Sequence, residues 1–185
     1  MKILMFIVIS YTLALNGCAT IGSYSVSESD LEGYFHNAVA DFDREQLKSG
    51  SPLRVSLNDV DIEVGPDNRD VIQLAIEGEI AVNAVLIELP VKVAVSIEGA
   101  PVYQSKNNAI YVRRLKLLDS HVEAPFLSGK NELITDKFMA VLAKILETVP
   151  VYQLDESDFQ QRLIASVPMD VKVAKGKLVF VPAEQ

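Results

Sequence analysis

The chain has 185 residues, of which 17 are basic and 25 acidic, and its formal net charge is −8 at pH 7. This length suits one domain with a substantial core. The acidic balance argues against a nucleic-acid partner, whose phosphates require clustered Lys and Arg, and against electrostatic binding to anionic lipid headgroups. With a single cysteine, no disulfide can form within the chain.

The first eighteen residues have the pattern of an export signal. Lys2 gives a basic start, and the apolar run over residues 3–15 is shorter than the roughly 20 residues that a membrane-spanning helix needs. The segment Leu15-Asn16-Gly17-Cys18 follows and resembles the lipobox of bacterial lipoproteins, although Asn16 departs from the small residue usual there. The resemblance implies a diacylglycerol thioether on Cys18, cleavage before Cys18, and an acyl chain such as palmitate on the new amino terminus.

Two alternatives to a lipoprotein signal are an ordinary signal peptide with a chance cysteine and an uncleaved membrane anchor. Two or more lipid chains would hold the protein stably at the membrane, whereas one holds it only marginally. By resemblance to the sorting rules of Gram-negative bacteria, Ala19 predicts the outer membrane, with the protein facing the periplasm. We therefore expect a signal peptide over residues 1–17, a lipidated tether over 18–26 and a single domain over 27–185.

A first helix is predicted to begin at Ser27 or Ser29, because Ser29 and Glu32 have the spacing of a capping box. Apolar residues then recur at helical spacing: Leu31, Phe35, Ala38 and Phe42. The segment Gly50-Ser51-Pro52 ends this helix.

After residue 52 the apolar residues recur with a period of two. This pattern predicts strands over residues 53–64, 72–82, 85–97 and 109–124, separated by short turns. The phase of the alternation slips at Asn58 and again between Val112 and Leu115, and each slip predicts a β-bulge. Consecutive alternating strands with short turns form an antiparallel sheet with one apolar face.

A second long helix is predicted over residues 131–148, where a wide apolar stripe lies opposite Lys137, Lys144 and Glu147. A short strand at 151–154 and a short helix from 155 to 164, capped by Asp155 or Ser157, follow. A hairpin that turns at 175–177 ends the chain. The order predicts an α+β fold, in which a strongly curved antiparallel sheet of about four main strands, plus a C-terminal hairpin, wraps around a long helix.

Several segments resemble the YceB-like bacterial lipoproteins, and the resemblance covers nearly the whole mature chain. They are Ala100-Pro101-Val102-Tyr103, Val149-Pro150-Val151-Tyr152-Gln153-Leu154 and Lys175-Gly176-Lys177-Leu178-Val179-Phe180. That family is similar to tubular lipid-binding (TULIP) domains, which hold a lipid or other apolar molecule between a curved sheet and a long helix. The resemblance implies such a groove here, lined by Leu31, Phe35, Phe42, Ile76, Val93, Phe138, Leu142 and Ile145.

No catalytic motif or metal-ligand spacing is evident. His36 precedes Asp41 and Asp43, and His121 lies near Asp119 and Glu123, but both histidines fit the flank of a helix or the polar face of a strand better than a site. We therefore expect no enzyme activity, no metal and no cofactor. Two functions stay open: binding a lipid or other apolar molecule as a carrier or sensor, or a structural or accessory lipoprotein that docks on an envelope assembly.

Overall fold

The computed structural model of the protein describes residues 24–48, 53–84, 87–123 and 131–183. The predicted signal peptide, Cys18 and most of the predicted tether lie outside these residues. The secondary-structure elements are β1 (Ser25–Ser27), α1 (Glu28–Lys48), β2 (Leu53–Val64), β3 (Ile72–Ala84), β4 (Ile87–Gln104), β5 (Ala109–Glu123), α2 (Asn131–Thr148), β6 (Tyr152–Gln153), α3 (Phe159–Ala165), β7 (Met169–Ala174) and β8 (Lys177–Pro182).

The strands form two antiparallel sheets. The larger has five strands in the order β2-β3-β4-β5-β6, and the smaller has three in the order β1-β8-β7. The predicted α+β class, the four main antiparallel strands and the C-terminal hairpin are confirmed. The sequence did not predict β1, which adds a third strand to that hairpin because residues 25–27 pair with residues 177–179.

Three register shifts bend the described part of the larger sheet: one between Ser96 and Ile97 of β4, and two at the places where the alternation slips. The β2–β3 register shifts between Leu57 and Asp59, and the β4–β5 register shifts near Gly99, where Arg114 and Leu115 are the additional residues of β5. A Cβ atom on Gly99 would collide with the Val112 side chain and lie 2.9 Å from the carbonyl oxygen of Arg113, so β4 needs glycine at this position, opposite the bulge of β5. Bulges bend strands and raise their twist, and they account for the curved sheet.

One hydrophobic core joins the sheet to both helices. Phe35 of α1 and Phe138 of α2 are 0% and 1% exposed, and they share this core with Ile76 and Ile97 of the sheet. Burial of each such side chain stabilises the fold by about 1.5–3 kcal/mol. The sequence predicts a sheet that wraps around one long helix. In the structure both helices pack on the same core, and α1, with 21 residues, is longer than α2, with 18.

The folded part of the chain begins before the predicted boundary at residue 27. Val26 is 1% exposed within β1, so the last residues of the predicted tether, 18–26, belong to the smaller sheet. The cap of α1 is formed by Ser27 and not by Ser29. The Ser27 hydroxyl accepts from the Asp30 backbone N–H at 3.3 Å, and the Asp30 carboxylate accepts from the Ser27 backbone N–H at 3.1 Å.

The predicted cap of the short helix α3 also shifts along the chain. Asp158 caps α3, and its carboxylate accepts from the backbone N–H of Gln161 at 2.9 Å. Asp155, one of the two predicted caps, instead binds the backbone and hydroxyl of Ser157 at 2.8 and 2.7 Å and closes the preceding turn. The helix therefore starts at Phe159, four residues later than predicted.

Candidate ligand-binding site

The two long helices pack on one core near opposite edges of the large sheet. Helix α1 packs on β2, and α2 packs on β5. Strand β6 pairs with β5 only at Ala109 and Ile110, so the rest of β5 has α2 beside it within the described part of the chain. We call these two contacts the α1–β2 joint and the α2–β5 joint.

The α1–β2 joint is closed by hydrogen bonds from the strand to the helix. The Glu28 carboxylate accepts from the backbone N–H of Val64 at 2.8 Å, and Glu32 accepts from the N–H of Ile62 at 3.0 Å. Backbone N–H groups at a sheet edge are open to pairing with other strands, and these two carboxylates occupy them. Between the glutamates, Leu31 is 0% exposed.

A small cleft remains farther along the α1–β2 joint. It has a volume of ≈ 300 Å³ and is lined by His36, Val39, Ala40, Asp43, Arg44, Ser56 and Leu57.

The α2–β5 joint contains a larger open cleft, of ≈ 600 Å³. Its lining residues are Val112, Arg113, Arg114, Leu115, Ala140, Ala143, Lys144 and Glu147. Sites for small molecules usually have volumes of about 300–1,000 Å³ and largely apolar walls with a few placed polar groups. We call this space the α2–β5 cleft.

The cleft is open because of small side chains on the helix and a bulge in the strand. Ala140 and Ala143 are three residues apart on α2, so they lie on one flank of the helix and leave space there. On β5, Arg114 has a backbone φ of 56°, which is unusual for a residue other than glycine. Such a conformation costs about 1–3 kcal/mol and is found most often at functional sites.

Arg113 fixes one end of the cleft. Its guanidinium donates to the carbonyl oxygens of Leu146 at 2.7 Å and Glu147 at 3.1 Å, at the C-terminal end of α2. A cation is favourable there, because unpaired carbonyl groups make that end of a helix negative. The guanidinium carbon also lies 4.8 Å from the centre of the Tyr111 ring. Arg113 therefore holds the end of α2 against β5.

The chemistry of the α2–β5 cleft suits an amphiphilic molecule with an anionic group. Apolar contacts come from Val112, Leu115 and the two alanines, whereas Arg114 and Lys144 add positive charge beside Arg113. The chain has a net charge of −8, whereas the cleft is lined by three basic residues and one acidic residue, so its local charge is positive. Positive groups beside an apolar floor can bind a carboxylate or phosphate while the floor receives a hydrocarbon chain.

The structure brings the sequence-predicted groove residues together in its interior. Seven of them are at most 2% exposed and belong to one core cluster: Leu31, Phe35, Ile76, Val93, Phe138, Leu142 and Ile145. The eighth, Phe42, is partly buried and packs against that cluster. Val112, on the floor of the α2–β5 cleft, belongs to the same cluster, so the cleft opens directly onto this core. Contact of these eight residues with a ligand stays a prediction.

The residues that line the open cleft were not predicted as a site. Helical periodicity puts Lys144 and Glu147 opposite the apolar stripe, and both are exposed, yet both line the cleft. Two sequence signals could have indicated it: the phase slip at residues 112–115 and the small residues Ala140 and Ala143 beside the stripe.

The two histidines lie far apart in the fold, and their surroundings indicate no shared site. His36 lines the cleft of the α1–β2 joint, whereas His121 lies on β5, exposed, with its Nε2 atom 3.9 Å from a Glu123 oxygen. In the described ranges, no three His, Cys, Asp or Glu side chains are grouped so that they could hold a metal ion. None of the helices described there is both long and apolar enough to cross a membrane.

Comparisons with known proteins identify a family. The sequence matches the family described as "Protein of unknown function (DUF1439)" over residues 26–177. Among solved structures, the chain is similar to one described as the crystal structure of lipopolysaccharide binding protein, at 14% identity and a TM-score of 0.28. That match covers 85% of this chain, which spans about half (48%) of the other protein's length. No curated protein sequence matches the chain.

Proposed function

This chain belongs to the DUF1439 family, and we propose that it is a membrane-anchored periplasmic lipoprotein that binds a lipid or other apolar molecule between helix and sheet. The α2–β5 cleft is the binding site in this proposal. The protein acts as a carrier or sensor and not as an enzyme, and it uses no cofactor.

The α2–β5 cleft is the observation that carries the proposal. Its volume of ≈ 600 Å³ suits a single acyl chain or a compact apolar molecule. The floor at Val112 continues into the core, so an apolar chain placed there gains apolar contacts on its inner side. Burial of apolar area is worth about 25 cal/mol per Å², which allows micromolar affinity for a long acyl chain after the cost of association.

The membrane anchor in this proposal is the lipid on Cys18. The support is the segment Leu15-Asn16-Gly17-Cys18 behind a short apolar run, together with the resemblance to YceB-like lipoproteins. Ala19 supports the outer membrane as the destination, with the domain in the periplasm. Replacement of Cys18 by Ala should abolish labelling with palmitate and block normal processing, and labelling that persists in this variant would disprove the anchor.

A second function is favoured by the packing of the predicted groove. Seven of its eight side chains are at most 2% exposed, and that burial suits a structural or accessory lipoprotein with a filled interior. In that case the protein would dock on an envelope assembly through its surface.

Native mass spectrometry separates the two functions. The domain is exported without acylation, purified without detergent, and weighed under native conditions before and after it is mixed with palmitate or a phospholipid. The binding proposal expects a bound mass that Ala143→Trp removes, because the indole fills the cleft, whereas Ala40→Trp at the other joint retains it. A domain that never carries or acquires a lipid supports the structural function instead.

A further inference from the structure

Helix α3 presents two large apolar side chains to solvent. Phe159 is 72% exposed and Leu163 is 45% exposed, the two highest values among the large apolar side chains of the described residues. They are four residues apart on one helix, so they lie on the same face. Single exposed apolar residues are common on protein surfaces, whereas adjacent exposed apolar side chains form a candidate contact surface. We call this pair the α3 apolar face.

The α3 apolar face is held rigidly. Asp158 caps the helix, and Ile164, on its opposite side, is 1% exposed and anchors it in the core. The side-chain oxygen of Gln161 accepts from the backbone N–H of Asp155 at 2.8 Å and ties the helix to the turn before it. Phe159 and Leu163 are therefore exposed on a helix that is capped and anchored in the core.

The position of α3 relative to the start of the fold suggests what covers this face. The Tyr152 hydroxyl is 2.7 Å from the Tyr24 hydroxyl and donates to Gln161 of α3 at 3.2 Å. Burial, with the hydrogen bond to Tyr24, raises the pKa of Tyr152, so this contact holds a neutral phenol. The first described residue of the chain is thereby linked to α3.

The chain between Cys18 and the fold is short. Five residues lie between Cys18 and Tyr24, so the six Cα–Cα steps of an extended segment span at most about 20 Å. A flexible segment of that length has an r.m.s. reach of about 13 Å. If the Cys18 lipid lies in a bilayer, Tyr24 and the neighbouring α3 lie close to that bilayer's surface.

We propose that Phe159 and Leu163 insert into the interfacial region of the leaflet that holds the Cys18 lipid, and so fix the orientation of the domain. This inference rests on the lipid anchor of the proposed function. Three acidic residues precede the face, at Asp155, Glu156 and Asp158, whereas α3 has one cation, Arg162, whose guanidinium carbon lies 5.8 Å from the centre of the Phe159 ring. The excess of negative charge favours zwitterionic lipid over an anionic headgroup.

The chain contains no tryptophan, which allows a direct test. Phe159→Trp places the only indole of the protein on the α3 apolar face, and Leu118→Trp places one at a 40%-exposed site on β5. The turn between β4 and β5 contacts the segment around β6, which leads to α3. Leu118 lies in the other half of β5, away from α3, and so serves as the matched control. Each acylated full-length variant is reconstituted in phosphatidylcholine–phosphatidylethanolamine vesicles, with and without acyl chains brominated near the headgroup.

The expected result is that emission from Phe159→Trp shifts to shorter wavelength and is quenched by the brominated lipid, whereas Leu118→Trp keeps emission typical of water. Flotation of the vesicles reports the anchor separately. A protein that floats but shows no quenching at Phe159→Trp overturns the docking of α3 and leaves the anchor intact. A protein that does not float overturns the anchor, and with it the docking.

Discussion

The α1–β2 joint and the α2–β5 joint are built from the same parts, a long helix laid against a strand of one sheet, and they differ in how they close. At the first joint, Glu28 and Glu32 accept hydrogen bonds from successive outward N–H groups of β2. At the second, Arg113 binds the last turn of the helix, and the Thr135 hydroxyl donates to that of Ser120 at 3.5 Å nearer its start. Between these contacts a cleft twice as large remains: ≈ 600 Å³ against ≈ 300 Å³.

This difference separates a structural contact from a candidate binding site. Carboxylates that reach backbone N–H groups hold a helix at a fixed distance from its strand, because both the hydrogen bonds and the packing between them would be lost together. Where the helix has Ala140 and Ala143 and the strand has a bulge at Arg114, the two surfaces part. The α2–β5 joint is therefore the place where an apolar molecule could enter without unfolding the sheet edge.

The largest effect is expected from the loss of a core phenylalanine in either long helix, which tests whether the two joints share one hydrophobic core. Phe35→Ala on α1 and Phe138→Ala on α2 each remove a side chain that is at most 1% exposed. Each should lower the free energy of unfolding by about 3–5 kcal/mol, because a large apolar group is lost and a cavity is left. Urea denaturation measures both. If Phe138→Ala lowered the free energy of unfolding far less than Phe35→Ala, that result would contradict a common core and indicate that α2 is loosely held.

The next effect concerns ligand affinity. Ala143→Trp should lower the affinity for a fluorescent fatty acid about tenfold or more, which corresponds to about 1.4 kcal/mol, because the indole occupies the α2–β5 cleft. The matched control is Ala40→Trp, which fills the smaller cleft at α1. Fluorescence titration measures both variants. Equal losses of affinity in the two variants would argue against a ligand specific to the α2–β5 joint.

A smaller effect is expected from the positive rim of the cleft. Lys144→Ala should weaken binding of a fatty-acid anion about twofold to threefold, since exposed ion pairs are worth about 0.2–1 kcal/mol. The methyl ester of the same acid carries no charge and should bind the variant and the parent equally. The matched control is Arg44→Ala, which removes a cation from the α1–β2 joint. A loss that is the same for acid and ester would show that Lys144 contributes packing and not charge.

The smallest effect concerns Glu98 on β4, beside the bulge in the β4–β5 pair. The Glu98 carboxylate accepts hydrogen bonds from Arg69 and from Lys116, whose Nζ atom lies 3.2 Å from a carboxylate oxygen. These hydrogen bonds lower the pKa of Glu98 below its usual value of 4.5, and the bond from Arg69 has the largest effect. A lowered folded-state pKa means that the unfolded chain takes up the proton first. The contribution of Glu98 is therefore present above pH 4.5 and is lost as the pH falls through the folded-state pKa.

Glu98→Gln should remove this acid-dependent part of the stability. Thermal unfolding between pH 3 and pH 7 measures it: the parent should lose more stability than Glu98→Gln over the acid half of that range. Parallel curves for the two proteins would contradict the role of Glu98 in holding β4 and β5 together at the bulge.

Much of the fold follows from the sequence because strand periodicity is local. The slips at Asn58 and near Leu115 mark the bulges, since one extra residue exchanges the apolar and polar phases. Glu32 shows where local reasoning fails. Its spacing from Ser29 predicts a capping box, but its carboxylate instead accepts from the N–H of Ile62, thirty residues away.

The α2–β5 cleft could not be predicted for the same reason. Ala140 and Ala143 are ordinary helix residues, and they leave a space only because β5 bulges opposite them. The eight groove residues that the resemblance implies lie at apolar positions of the helices and strands. Apolar periodicity identifies the core face of an element equally well whether that core is filled or holds a ligand.

The central claim is that an apolar ligand lies at the α2–β5 joint and not at the α1–β2 joint. A fatty acid with a photoactivatable diazirine on its chain, cross-linked to the acylation-free domain and mapped by peptide mass spectrometry, tests it most directly. We expect labelled peptides from residues 112–115 and 140–147, and loss of that labelling in Ala143→Trp. Labelling confined to residues 36–44 and 56–57, or none at ligand concentrations that saturate binding, would contradict it.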